Sequence, residues 1–438
     1  MSRLTGSFLP SMLLGSLTLL AGCGGSDSAI PPPGCNYCPA KLRSEMGALS
    51  IQDEQDQAPV DPALVTANND FGLAVLNSLL SQGVSGNPSI APMSLAEDLE
   101  AAYNGADGTT QQAMAQVLQL GSLTTQQLNS DNTALQAALA ALDPADDLVI
   151  QGQIWGNFTS SSFPGGFDQT LANYYGPLTN ALTGLSSSQS AYDINNDAAF
   201  YTYGLVGNIL GSASFNLAPD GLLPVSTLYF QGTWHFPFPP AQTVTATFTN
   251  SAGAQTPAVR MGLTATLPYL QGSNFQAISL PYGADSRLAM LVVLPNVGTS
   301  VNTFVASVTA ATIGQWASEL QPEAVELALP RFTSSYAGSL QDALTSAGMG
   351  VAFAAANEGF PAFFTGAYLQ DVLHGTVLSV NENGTTVAAP ANAGPGGVSV
   401  PPPVNFNMVV DHPFFYAIRD NQTGELLAIG VVTDPGSG

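Results

Sequence analysis

Hydrophobic and polar positions change period several times along the 438-residue chain, and the changes mark out its elements. Between Pro62 and Leu80, Leu64, Phe71, Leu73, Val75, Leu76 and Leu79 recur at helical spacing and predict a first helix. The turn residues Gly86-Asn-Pro-Ser-Ile-Ala-Pro-Met lead into a second helix, expected to start near Ser94 and to end near Gly105. Glu97, three residues after Ser94, would complete a capping box there. A third helical stretch is predicted from Thr110 to Leu118. From Leu148 the period alternates. Leu148–Trp155 reads as a strand, Gly166–Tyr175 and Ile194–Ile209 as helices, and Leu222–Trp234 as a long buried strand rich in β-branched and aromatic residues. Hairpin-like strands are expected between Thr243 and Pro281, buried strands at Arg287–Pro295 and Val325–Pro330, and a helix at Leu340–Gly348. Strands around Phe406, Asp411–Asp420 and Gly424–Gly430 close the chain, the last two joined by an Asp420-Asn-Gln-Thr-Gly424 turn. No internal repeat or second linker interrupts the pattern, which predicts one α+β domain over residues 61–438.

One stretch belongs to neither period. From about Glu382 to Pro403 the chain runs through small uncharged residues, loosens at Gly394-Pro-Gly-Gly397 and ends in Pro401-Pro-Pro403. No charged residue lies between Glu382 and Asp411, so nothing in the loop would have to shed a charge's hydration on entering a sheet. Predicted strands hold it at both ends. Such a loop can stand exposed or be inserted.

Composition narrows the class. With 45% hydrophobic and only 9% charged residues the chain is not disordered, and 31 acidic against 7 basic residues give a net charge of -24. That charge repels phosphate backbones and anionic polysaccharides, so nucleic acid and heparin-like polyanions are poor partners and none is expected. Residues 1–22 hold Arg3 and an apolar run from Phe8 to Leu20, too short to span a bilayer and of signal-peptide proportions. Leu20-Ala-Gly-Cys23 resembles the bacterial lipoprotein box, which implies lipidation of Cys23; an ordinary secretory signal is the alternative. The expectation is export, with the protein lipid-anchored to a bacterial envelope or secreted, and membrane contact only through that anchor. Residues 23–60 read as a Gly/Pro/Ser-rich tether, in which Cys35 and Cys38 have the spacing of a small local disulfide.

Catalytic chemistry is not visible. The three histidines, His235, His374 and His412, stand in no H-E-x-x-H motif, no G-x-S-x-G elbow occurs, and the single lysine, Lys41, is in the tether. No enzyme, metal site or cofactor is expected.

From about Asn68 to Pro435 the chain resembles the serpin family. The blocks that carry the resemblance are Asn87-Pro-Ser-Ile-Ala-Pro-Met-Ser94, Tyr103-Asn-Gly-Ala-Asp-Gly108, Leu228-Tyr-Phe-Gln-Gly-Thr-Trp234, Leu329-Pro-Arg-Phe332, His374-Gly-Thr-Val-Leu-Ser-Val-Asn-Glu-Asn-Gly-Thr385 and Asp411-His-Pro-Phe414. The resemblance implies the serpin fold, with helices packed on a large central β-sheet plus smaller sheets and an exposed reactive-centre loop near the C-terminus. It also implies a function: a target serine protease cleaves the loop, forms an acyl-enzyme, and is trapped when the loop inserts as a new strand. A monomer is expected.

Within that frame, counting sixteen residues from Glu382 places the scissile bond at Val398-Ser399. Valine suits the small apolar primary pocket of an elastase, and subtilisin-like targets also accept it. The hinge comprises Glu382, Gly384, Thr385, Thr386, Val387, Ala388, Ala389 and Pro390. Thr385, Val387, Ala389 and Ala391 would share the core face of an inserted strand, and Gly384 would supply the turn into it. Pro390 removes a donor from a strand bonded on both sides, at a cost of about 1–3 kcal/mol. A loop slowed by it would be cleaved without inserting, which gives the alternative: a non-inhibitory surface binding protein. Trp234, His374, Ser94 and Ser226 match positions that gate opening of the sheet, with Trp234 and His374 expected near the end where the loop enters. Ala91 and Ser226 replace the family's usual Ser and Asn, which predicts a thinned polar network there.

Overall fold

The computed structural model describes residues 59–142, 146–158, 163–176, 178–385 and 404–437. Helix α1 (Pro62–Ser81) starts where the Asp61 carboxylate accepts from Ala63 N–H at 2.8 Å with proline in the first turn, and it buries Leu64, Phe71, Leu73 and Leu76. After β1 (Ser89–Ile90) comes α2 (Pro92–Asn104). Here the expected capping box is absent. Pro92 in the first turn fixes the start ahead of Ser94, and the cap position is Ala91, which has no side-chain bond to give. Helices α3 (Gly108–Val117) and α4 (Thr125–Ala140) follow, the latter capped reciprocally by Thr124 and Gln127.

Next come β2 (Asp147–Gly156), α5 (Phe167–Tyr174), β3 (Thr179–Ala181), α6 (Ser187–Tyr201) and β4 (Gly221–Thr233). Helix α6 sits earlier than expected. Ser186 caps it, and positive φ at Tyr203 and Gly204 ends the helical path well before Ile209. The middle of the chain supplies β5 (Val244–Thr249), β6 (Gln255–Gln271), β7 (Phe275–Pro281), β8 (Leu288–Pro295), α7 (Val301–Val305), α8 (Ala310–Glu319), β9 (Gln321–Pro330) and β10 (Phe332–Ser339). After α9 (Gln341–Leu344) and β11 (Tyr368–Leu369), the chain forms β12 (Leu373–Asn381), β13 (Gly384–Thr385), β14 (Phe406–Val409), β15 (Phe414–Asp420) and β16 (Leu426–Val432).

The described strands make two sheets. The larger has nine strands in the order β1-β16-β15-β8-β7-β6-β9-β14, with β5 paired to β6. The other has seven, in the order β10-β12-β13-β4-β2-β3, with β11 also on β4. Helix α2 packs against β2 and β4 on one side and β16 on the other, so it fills the space between the sheets. Its Leu95 and Leu99 join Phe414, Tyr416, Leu426 and Ile429 in the main core. The outer face of the seven-stranded sheet is covered as well: Ile194 and Ala198 of α6, with Val206 and Ile209, pack on Trp155, Leu223, Val225 and Leu373. Burial of each such large aliphatic side chain contributes about 1.5–3 kcal/mol. This is why β4 is apolar on both faces and reads as an unbroken hydrophobic run.

Candidate functional site

The sequence brings its uncharged loop to a break in the seven-stranded sheet. Strands β4 and β12 run parallel and pair directly only where Val225–Leu228 meets Leu373–Thr376. Beyond that they part, and β13 occupies the gap. It is antiparallel to both neighbours, with Thr385 opposite Val380 of β12 and Gly232 of β4. β13 is two residues long, and four positions further along, at Leu228 and Thr376, β4 and β12 already pair with each other.

Four contacts hold this hinge. A Cβ on Gly384 would stand 2.0 Å from the Gly232 carbonyl oxygen, so only glycine lets the chain pass this close to β4. Thr385 is fully buried and its hydroxyl lies 2.5 Å from that of Tyr282. The Tyr282 ring stacks on Trp234 at 4.5 Å, and Trp234 in turn donates its backbone N–H to Asn383 O and its indole Nε1–H to Asn381 O, both at 2.8 Å. Glu382, at the turn, accepts from Arg331 Nε at 2.9 Å and Nη2 at 2.5 Å, and from the Thr243 hydroxyl at 2.7 Å. Burial alone would raise this carboxyl, but the Arg331 and Thr243 bonds outweigh it and hold Glu382 below the usual carboxylate range.

Further along the same pair of strands, where β4 and β12 are in contact, lies a buried polar cluster. His374 is fully buried, and its Nε2 accepts from Ala91 N–H at 3.0 Å while Nδ1 faces the Ser226 hydroxyl at 2.7 Å. An Nε2 that accepts leaves the proton on Nδ1, so the ring donates to Ser226. Burial pushes His374 down to about 3, which keeps it neutral. Ser94 donates to Thr227 O at 3.0 Å, and the Ser89 and Thr376 hydroxyls are 2.6 Å apart. At the two positions expected to thin this network, Ala91 bonds the ring through its backbone N–H and Ser226 through its hydroxyl.

The other histidines are separate from it and from each other. His235 bonds Gly283 O, and His412 lies between Asp411 and Pro295 O. Among the described residues the one hydroxyl bonded to a histidine ring is that of Ser226, which accepts from His374 Nδ1.

A family model described as serpin (serine protease inhibitor) matches residues 66–435. The chain belongs to the serpin family. Among its relatives, Serpin B10 of Sorex araneus is 25% identical over 399 residues, covering 85% of this chain and all of that protein. Neuroserpin of Gallus gallus is 27% identical over 381 residues, 84% of this chain and 90% of its own length. The native-state crystal structure of the thermophilic serpin tengpin superposes with a TM-score of 0.76 at 24% identity, covering 86% of this chain and 96% of that one. The serpin fold follows, and with it membership of a family of serine protease inhibitors rather than enzymes.

In this serpin the expected gate residues occupy two places, not one. Trp234 lies where the hinge enters, whereas His374 pairs in register with Ser226, eight residues back along β4, roughly 26 Å away at strand rise. Ser94, expected as a helix cap, instead reaches β4 from inside α2. Of the hinge, Glu382, Gly384 and Thr385 are placed. Thr386, Val387, Ala388, Ala389, Pro390, the Val398-Ser399 bond, and Cys23, Cys35 and Cys38 lie outside the described residues. Sequence reasoning misses Tyr282, Thr243 and Arg331 as hinge contacts. For Arg331 a signal exists, since it is one of only seven basic residues and directly precedes a strand. Tyr282 is 103 positions from Thr385 and carries no mark of the contact.

Proposed function

We propose that this serpin is a suicide-substrate inhibitor of a serine protease with small-aliphatic specificity, cleaved at Val398-Ser399 and acting by insertion of the freed loop between β4 and β12. The observation that carries the reading is the orientation of β13. A strand antiparallel to two neighbours that are parallel to each other exchanges a slanted parallel pairing for two antiparallel ladders, which are slightly more stable per residue. The protease serine attacks the Val398 carbonyl, the Ser399 amine leaves, and the ester stays on Val398 while the chain N-terminal to it is released to move.

Continuing the register of β13 residue by residue defines the path. Val387 comes opposite Phe230 and Leu378, Ala389 opposite Leu228 and Thr376, and Ala391 between Ser226 and His374. Those partners are buried. Small uncharged side chains at 387, 389 and 391 suit that face, and the His374–Ser226 bond has to part before Ala391 can enter. Pro390 falls opposite Thr227 and Gly375, where it leaves one ladder acceptor unfilled, at about 1–3 kcal/mol against an insertion of a dozen residues. Insertion slows but is not forbidden.

Valine before the scissile bond suits an elastase-type pocket; discrimination by a few methyl groups is worth only about 1–3 kcal/mol, so subtilisin-like targets belong to the same proposal. The leader and Cys23 support export and a lipid tether. Val398→Arg is the test of register. Inhibition should pass from elastase-like to trypsin-like proteases, and unchanged inhibition of an elastase by the variant would overturn the placement of the bond.

A further inference from the structure

The space between the two sheets holds carboxyl groups that the hinge does not use. Asp98 and Glu100 of α2 and Glu425, just ahead of β16, are each at most 1% exposed. Asp98 lies flat on β2, where a Cβ on Gly152 would stand 1.9 Å from its Oδ1. Glu100 accepts from Asn132 Nδ2 of α4 at 2.8 Å. The groups facing them are the half-buried Glu97 of α2, bonded to Gln136 of α4; Asn68 of α1; Asn129 of α4; Tyr175 after α5; Gln153 of β2; and Asp420 at the end of β15. The cations of that neighbourhood are already engaged: Arg287 with Asp420, and Arg419 with Asn421. Among the described residues no ion pair includes Asp98, Glu100 or Glu425.

A carboxylate sealed in this way without a cation is far less stable than the neutral acid. We infer that Asp98, Glu100 and Glu425, packed between α2, α4, β2 and β16, form a proton-held lock, so that the native fold is built for an acidic medium and loosens as its protons are withdrawn. The lock bears on β2 at Gly152, which pairs with Ser226 of β4, and so on the part of the sheet where β4 and β12 are in direct contact beside His374.

The direction with pH follows from linkage. Burial, opposed by the Asn132 bond and aided by the charge of Glu97, raises Glu100 from 4.5 to about 8; burial likewise raises Glu97 to about 7 and Asp98 and Glu425 well above the usual range. Below about pH 3 these groups are protonated in folded and unfolded chains alike, and the stability is fully present. Above that the unfolded chain loses its protons first, and each pH unit lowers the folded-to-unfolded ratio tenfold per group until the folded pKa is passed. For Glu100 alone the loss is on the order of a thousandfold. His374 acts in the opposite sense below its ordinary value of 6.5, as one group against these several.

Urea unfolding of the full chain at pH 4 and pH 8 tests the inference, with Glu100→Gln, Asp98→Asn and the surface control Glu319→Gln alongside. The wild-type folded-to-unfolded ratio should fall at least a hundredfold between the two pH values. Glu100→Gln and Asp98→Asn should each remove at least tenfold of that fall, and Glu319→Gln should leave it intact. If one buried variant does not fold, the other decides. Equal wild-type stability at pH 4 and 8, or a full fall retained in the buried variants, would overturn the lock and assign the pH effect to surface charge.

Discussion

The hydroxyl pair Tyr282–Thr385 is the contact through which the hinge can be loosened with least collateral damage. Tyr282→Phe removes one oxygen and nothing else: the ring remains stacked on Trp234 and edge-on to Phe230. The Thr385 hydroxyl, 2.5 Å away and fully buried, is left without that partner. Such an orphan costs about 1–3 kcal/mol. If the pair holds β13 in the sheet, that cost shifts the balance between seated and released hinge by roughly 5–150-fold. Hydrogen exchange read on a peptide spanning residues 380–385 should accelerate in proportion, while exchange in β15 and β16 stays as in the wild type. Adding Thr385→Val removes both polar atoms together and should restore most of the protection, because a pair replaced by apolar groups of similar shape leaves no orphan. Unchanged exchange in Tyr282→Phe, or a double variant no better protected than the single one, would refute the argument that this bond seats the hinge.

Two further contacts give measurable consequences. Arg331→Met should release the turn at Glu382 by about 1 kcal/mol, at the low end for a charge-assisted bond because the arginine is half exposed, with faster proteolysis at the hinge as the readout. Because the carboxyl of Glu382 is held low, the wild-type advantage should be complete above its ordinary value of 4.5 and vanish as pH falls through the depressed folded value. His374→Gln keeps a donor and an acceptor near Ala91 and Ser226 but cannot take up a proton. Since His374 titrates at about 3 when folded and at its ordinary 6.5 when unfolded, urea unfolding should show the variant gaining on the wild type as pH falls from 6.5 toward 4. A difference independent of pH would show that the buried ring does not titrate as its surroundings require.

The sequence discloses the parts of the fold that announce themselves locally. β4 is an apolar, β-branched and aromatic run with a strand on each side, and its limits are legible to within a residue. Helix α4 escapes a reading by periodicity because glutamine, asparagine and alanine dilute its stripe, although Leu128, Leu135 and Leu139 and the Thr124/Gln127 cap are present. β10, built largely of Ser, Thr, Gly and Ala, owes its strand conformation to pairing with β12 along its whole length rather than to propensity. The hinge after Glu382 is legible as composition: small and uncharged from Gly384 onward. Its partners are not, because Tyr282, Arg331 and Thr243 reach it across tens of residues or more, and such pairings are set by topology. His374 is found by resemblance, but its position along the strand comes only from the register with Ser226.

The most direct test of loop-insertion inhibition is a denaturing gel of the protein mixed with an elastase, run for the wild type and for Thr385→Arg. The wild type should give a stable band of the summed mass, with cleavage after Val398. Thr385→Arg, whose charged side chain cannot occupy the buried site beside Tyr282, should be cleaved without holding the protease. A wild-type loop cut at Val398 with the protease left fully active, or a stable complex formed equally by Thr385→Arg, would contradict the account.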